Sequence, residues 1–164
     1  MRFRVPEEWH FLQQIDSGET HLAVFHVRNA VIDAGRDRNN VEIDVLRTDT
    51  HANFHTVSDT LFSSVFDPNG IVLADTAPTP NRRFFFWRGQ LRKTVYAIYD
   101  DYGRRNDVVI HVRMTHPIGR ELQERWSNEY ALDTAAFLSS ITIDSERVFP
   151  GWAGHPVLAS FGWP

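Results

Sequence analysis

Residues 82–89 read RRFFFWRG, with Phe84, Phe85, Phe86 and Trp87 in an unbroken aromatic run between arginines. A strand buried on one face alternates apolar and polar residues, and this stretch does not alternate. Continuous apolar character fits a central strand covered by helices on both faces. The competing reading leaves one face of the run exposed as an aromatic docking patch, with Arg82, Arg83 and Arg88 as a charged rim. The first reading makes the run core. The second makes Phe84, Phe86, Trp87 and Arg88 a partner-binding surface, which Trp152 and Trp163 of the C-terminal tail would cover or extend.

Working outward, strands are expected at about 83–91, 94–100 and 107–115, with DDYGRRND (100–107) as the turn between the last two. The stretch DVVIHVRMTH alternates cleanly: Val108, Ile110, Val112 and Met114 lie on one face, and Val109, His111, Arg113 and Thr115 on the other. Upstream, IVLAD (71–75) reads as a short strand followed by a proline-rich link, TAPTPN. Before it, Phe54, Val57, Leu61, Phe62 and Val65 recur at helical spacing, and DPNG (67–70) stops the helix. Three strands precede that helix: the opening RFRV, cut short by Pro6; THLAVFHV (20–27); and VEIDVLRT (41–48), in which Val41, Ile43 and Val45 alternate with Glu42 and Asp44. Downstream of the hairpin, Leu122, Trp126, Tyr130, Phe137, Leu138 and Ile141 mark a second helix from about Pro117, with a break near Ala131 where Asp133 would cap a second segment.

This order predicts one α+β domain over 1–143, a mostly antiparallel sheet of six to seven strands flanked by helices, and a C-terminal extension, 144–164, packed on the domain or on a partner. The chain has 164 residues, 42% of them apolar and 13% aromatic, enough for a sizeable core. A net charge of −4 without a basic stripe argues against nucleic acid as a partner. Zero cysteines exclude disulfides, thiolate nucleophiles and Cys-ligated metals. The sequence as it stands shows neither a signal peptide nor an apolar run of membrane-spanning length, so the expectation is a cytoplasmic protein without membrane insertion. A leader removed before this start would leave the same sequence.

The opening FRVPEEW, VEIDVLRT with the helix at 54–66, the hairpin ending in VVIHVRMTH and the closing helix ending in FLSSITI resemble the PsbP-like superfamily over about residues 1–143. That superfamily includes photosystem II extrinsic subunits and Ran-binding Mog proteins. The resemblance implies an α/β/α sandwich and a binding or assembly role, with no catalytic motif to carry over. In size the chain is also similar to the bacterial Eag chaperones of type VI secretion, from which it departs in its 29–40 loop and its Trp-containing tail.

Few residues suggest chemistry. His51 and His55, with Asp49 and Asp59 nearby, have helical metal-pair spacing but lack the glutamate of a metalloprotease motif, so no metal or other cofactor is expected. Ser58, Ser63, Ser64, Ser139 and Ser140 lie in no nucleophile elbow. His111 and Arg113 on one strand face, and Glu42 and Asp44 on another, would converge if those strands were neighbours. Cross-strand ion pairs would look the same. The leading expectation is a non-enzymatic bacterial protein-binding factor, a secretion chaperone or adaptor or an immunity-type protein, whose partner is an effector or a toxin. A homodimer is a further option. The alternative is a small-ligand binder or hydrolase using the His111, Arg113, Glu42 and Asp44 face.

Overall fold

A computed structural model describes residues 1–4, 9–15, 21–29, 41–91, 94–117 and 131–149. Strands β1 (Trp9–Ile15), β2 (His21–Asn29) and β3 (Val41–Arg47) form an antiparallel meander. Helix α1 (Phe54–Val65) then crosses the sheet to its far edge. A second meander, β4 (Ile71–Thr79), β5 (Arg82–Leu91), β6 (Thr94–Arg105) and β7 (Val108–Pro117), returns to β3. The result is a seven-stranded sheet of order β1-β2-β3-β7-β6-β5-β4, in which every pairing is antiparallel. Helix α2 (Ala131–Ser140) and a two-stranded hairpin, β8 (Thr142–Ile143) with β9 (Glu146–Arg147), complete the described chain.

Each sheet face carries its own core. On one face Val41, Ile43, Phe84, Phe86, Tyr99, Ile110, Val112 and Met114 meet Phe137, Leu138 and Ile141 of α2 and its following residue, together with Val148 and Phe149 beyond β9. On the other, Leu46, Phe85, Trp87, Tyr102 and Val109 meet Phe54 and Phe62 of α1. Phe62 stacks on Phe85 with ring centroids 3.9 Å apart. Asn53 starts α1 by accepting hydrogen bonds from the His55 and Thr56 amides through its side chain, which satisfies two otherwise orphaned donors.

The aromatic run is therefore a strand covered on both sides. Phe84 and Phe86 are 0% exposed and Trp87 2%, so the expected docking patch at these three residues is corrected: their rings fill the two cores and present no surface. Arg82 is buried as well, while Arg88 is exposed. Trp152 and Trp163 lie outside the described residues.

Three further expectations change. Among the described opening residues, 1–4, pairing is limited to an isolated bridge, Arg2 with Thr142, and the first described sheet strand is 9–15. The supposed link TAPTPN continues β4 through Thr79, because an edge strand tolerates Pro78. DDYGRR is strand, and the turn shrinks to Asn106 and Asp107, with Asn106 at φ 56°. The tail also begins inside the body. A methyl at Gly103 would sit 2.5 Å from Val148 and 3.0 Å from Phe149, so only glycine lets residues 148–149 lie on β6.

Candidate functional site

Strand pairing decides whether the four charged residues meet. In the β3–β7 register Glu42 faces Arg113 and Asp44 faces His111, and in the β6–β7 register Asp100 faces Arg113 and Tyr102 faces His111. All six fall on the sheet face that carries α1. The strands are neighbours, so the four charged groups meet, and they do so around a residue that sequence reading placed in a turn, Asp100.

Asp100 is the centre. Its carboxylate accepts hydrogen bonds from Trp87 Nε1 at 2.6 Å, from Arg113 Nε and Nη2 at 2.8 and 3.1 Å, and from His111 Nε2 at 2.7 Å. The other His111 nitrogen, Nδ1, lies 2.9 Å from Asp44 Oδ2. With a carboxylate at each ring nitrogen, both nitrogens must donate, so the geometry calls for the imidazolium. Tyr102 stacks on this ring, centroids 4.4 Å apart and planes within 6°. Arg113 also donates to the carbonyl of Val65 at the end of α1, at 3.3 Å, and lies over the Trp87 ring.

The electrostatics follow. Burial alone would push the Asp100 carboxyl up, but the hydrogen bonds and charges of His111 and Arg113 outweigh it and bring the group down to about 2. Burial works against the charged form of His111, yet its hydrogen bonds to Asp100 and Asp44 win, and its pKa rises. Arg113 shifts the same way: burial is outweighed mainly by the Asp100 charge. Burial, then the Asp100 charge, pushes the Tyr102 phenol up, and its buried hydroxyl has no hydrogen-bond partner among the described residues. Two carboxylates, Asp44 and Asp100, balance His111 and Arg113, and Glu42 stands opposite Arg113 as an additional acid.

Chemically this arrangement is a strut. Asp100 and His111 are closed to solvent, with side-chain exposures of 0% and 4%. A cavity on the same sheet face is lined by none of the four predicted residues. It is a groove of about 360 Å³ between α1 and the ends of β3 and β7, floored by Leu46, Val57, Leu61 and Val109 and rimmed by Arg47, Thr48, Thr56 and Thr60. Its character is aliphatic: Leu46, Val57, Leu61 and Val109 line it, and Thr60 turns its hydroxyl back to the Thr56 carbonyl.

The other motifs serve local structure. Asp49 accepts from the His51 amide in the turn before α1, and among the described residues no three His, Asp or Glu side chains gather as metal ligands. Ser58 and Ser64 hydroxyls bond backone carbonyls within α1, and Ser140 bonds Arg4 and Phe137.

No protein-family model matches the sequence, and no curated protein matches it. Among solved structures, the Ran-binding protein Mog1p of Saccharomyces cerevisiae shares 14% identity, with 77% of this chain and 76% of that chain covered and a TM-score of 0.45. That likeness is too distant to carry a function. What fold and site together define is an α+β domain with a seven-stranded antiparallel sheet, a charged network locked beneath one helix, and an aliphatic groove beside it.

Proposed function

We propose that this domain is a protein-binding factor that holds an apolar segment of its partner in the groove between α1 and strands β3 and β7. The observation that supports the reading is the contrast between the two features of that face. The acid, base and cation groups are spent on one another, whereas the adjoining concavity is open and aliphatic. Its volume lies near the low end of the roughly 300–1,000 Å³ typical of binding pockets, suited to a few aliphatic side chains. Among the finer forms, a cytoplasmic bacterial chaperone or adaptor for an effector fits better than an immunity-type protein. A toxin-neutralising surface on this network would need its acids exposed, whereas Asp100 is buried and Asp44 is engaged by His111. The groove differs from the expected aromatic patch in being lined by Leu, Val and Thr instead of Phe and Trp.

The test is site-specific photocrosslinking in the native host, with the crosslinking residue placed at Thr60, in the groove rim, or at Arg88, exposed on β5. The expected result is one protein partner captured from Thr60 and not from Arg88, with capture weakened by Leu61→Asp. Capture from Arg88 alone would return the docking surface to the 84–88 strand. A small apolar molecule in place of a protein at Thr60 would favour the ligand-binding alternative.

A further inference from the structure

Independently of the groove, the sheet edge at β4 is built unevenly. β4 is the last strand in the order, so among the described residues one side of its backbone faces no strand. Natural edges of this kind are blunted by proline, lysine or bulges, because unpaired amides and carbonyls invite another strand. The second half of β4 has such protection: Pro78 lies in it, and the register shifts between Thr76 and Thr79. The first half, 71–76, has a bulge between Val72 and Ala74 but neither proline nor lysine. It carries Ile71 and Val72, 48% and 44% exposed, which with Met1 are the exposed large hydrophobics of the described residues.

The charge at this half-edge is specific. The bulge between Val72 and Ala74 puts Val72 and Asp75 on the same face although they are three residues apart, since their partners Trp87 and Phe85 share that face. Beside them Arg83 is held by Asp75 through two hydrogen bonds of 2.8 and 2.6 Å and by Asp59 of α1 at 2.8 Å. Arg83 is mostly covered, whereas Asp75 and Asp59 remain 43% and 58% exposed. Two carboxylates on one guanidinium leave one negative charge facing outward beside an aliphatic side chain.

We propose that residues 71–76 of β4 accept an extended segment of a partner protein as an added strand, one that sets an aliphatic residue against Val72 and a lysine or arginine against Asp75 and Asp59. Main-chain hydrogen bonds supply most of the binding in this mode, and side chains on one face set the sequence preference. A second copy of the chain is the weaker occupant, because edge-to-edge pairing would bring these acidic groups toward their own copies.

Selection of random ten-residue peptides displayed on phage against the full chain tests this. Enriched peptides are expected to alternate β-branched residues with at least one Lys or Arg, and to shift the backbone amide resonances of 71–76. Val72→Lys should weaken them at least about tenfold, because it adds an edge-blocking cation that also repels the peptide. Asp75→Asn, which keeps a hydrogen-bond acceptor for Arg83, should weaken them about fivefold, as loss of one exposed charge pair predicts. Thr60→Arg in the groove should leave peptide affinity unchanged, which separates this site from the proposed function. The proposal is overturned if no peptide is enriched or if enriched peptides bind both β4 variants as tightly as the wild type. A concentration-dependent dimer that Val72→Lys dissociates would overturn it too, by making the occupant a second copy.

Discussion

Asp100 and Asp101 are consecutive residues of β6, both with zero exposure, and alternation sends them into opposite cores. Asp101 meets Arg82 through two parallel hydrogen bonds, 3.1 Å to Nε and 2.6 Å to Nη2, with the guanidinium 5.5 Å from the centre of the Phe149 ring. Asp100 instead joins Trp87 of β5 with His111 and Arg113 of β7, and through Arg113 reaches the end of α1. One carboxylate bridges two neighbouring strands. The other knots three strands and a helix. A buried pair can often be exchanged for apolar residues of matching volume, because the desolvation penalty disappears with the charges. A knot of four groups offers no such exchange, since removing one member strands the rest.

The largest expected effect breaks this difference open. Asp100→Ala should destabilise the fold by about 4–5 kcal/mol in urea unfolding, since an imidazolium, a guanidinium and an indole N–H all lose their acceptor. Asp101→Leu should cost about 3–4 kcal/mol by leaving the Arg82 guanidinium buried without its carboxylate. The decisive comparison is the double variant Asp101→Leu/Arg82→Met, which should come back to within about 1 kcal/mol of the wild type. Combining Asp100→Leu with Arg113→Met should recover far less, because His111 and Trp87 are still abandoned. Equal recovery on both faces would show that Asp100 belongs to a pair like its neighbour.

A smaller effect sharpens the contrast through pH. The His111 pKa is raised on folding, so its stabilising contribution is complete below the unfolded value of about 6.5 and is lost as pH rises through the folded value. Asp100, lowered to about 2, contributes above the unfolded value near 4 and loses that contribution only as pH falls toward 2. The groups packed around His111 are Asp44, Asp100, Arg113 and Tyr102. Urea midpoints measured from pH 5 to pH 9 should therefore decline on the alkaline side. His111→Gln should lower stability and flatten that decline, whereas Asp101→Leu/Arg82→Met should preserve the slope, because it leaves the His111 face intact. A slope that survives His111→Gln would assign the titration to another group.

The unequal legibility of the two faces has a physical cause. Alternation in VEIDVLRT and DVVIHVRMTH placed Glu42 with Asp44 and His111 with Arg113, whereas unbroken apolar character at 84–87 left a twice-covered strand and an exposed patch as alternatives that burial decides for the strand. What local pattern cannot supply is the pairing of β3 with β7, strands more than sixty residues apart whose adjacency is set by α1 crossing the sheet. Asp100 and Asp101 were missed because DDYG has turn composition and aspartate is depleted in strands. Their signal lay at longer range: β5 needs a partner of its own length, and arginines at 82 and 113 needed carboxylates on the strand between them. The groove was not legible at all. Its walls come from the ends of β3 and β7 and from the helix flank, and no single stretch announces them.

The smallest effect concerns how the Asp101 face is closed. Beyond α2, the β8–β9 hairpin turns through Asp144 and Ser145, both left-handed at φ 51° and 66°, and places Val148 and Phe149 on the core beside Gly103 and Arg82. A two-residue turn with both residues left-handed matches the twist of its strands, and its favoured second residue is glycine. Serine at φ 66° holds a conformation its Cβ disfavours, so Ser145→Gly should stabilise the protein by about 0.5–1 kcal/mol, the relief of strain exceeding the extra freedom gained by the unfolded chain. The gain should appear as a higher urea midpoint with an unchanged pH slope, because the turn serves the Phe149 side and leaves the His111 network untouched. If Ser145→Gly changed that slope instead, the two cores would be coupled through β6, and Asp100 and Asp101 could no longer be treated as independent anchors on opposite sides of one strand.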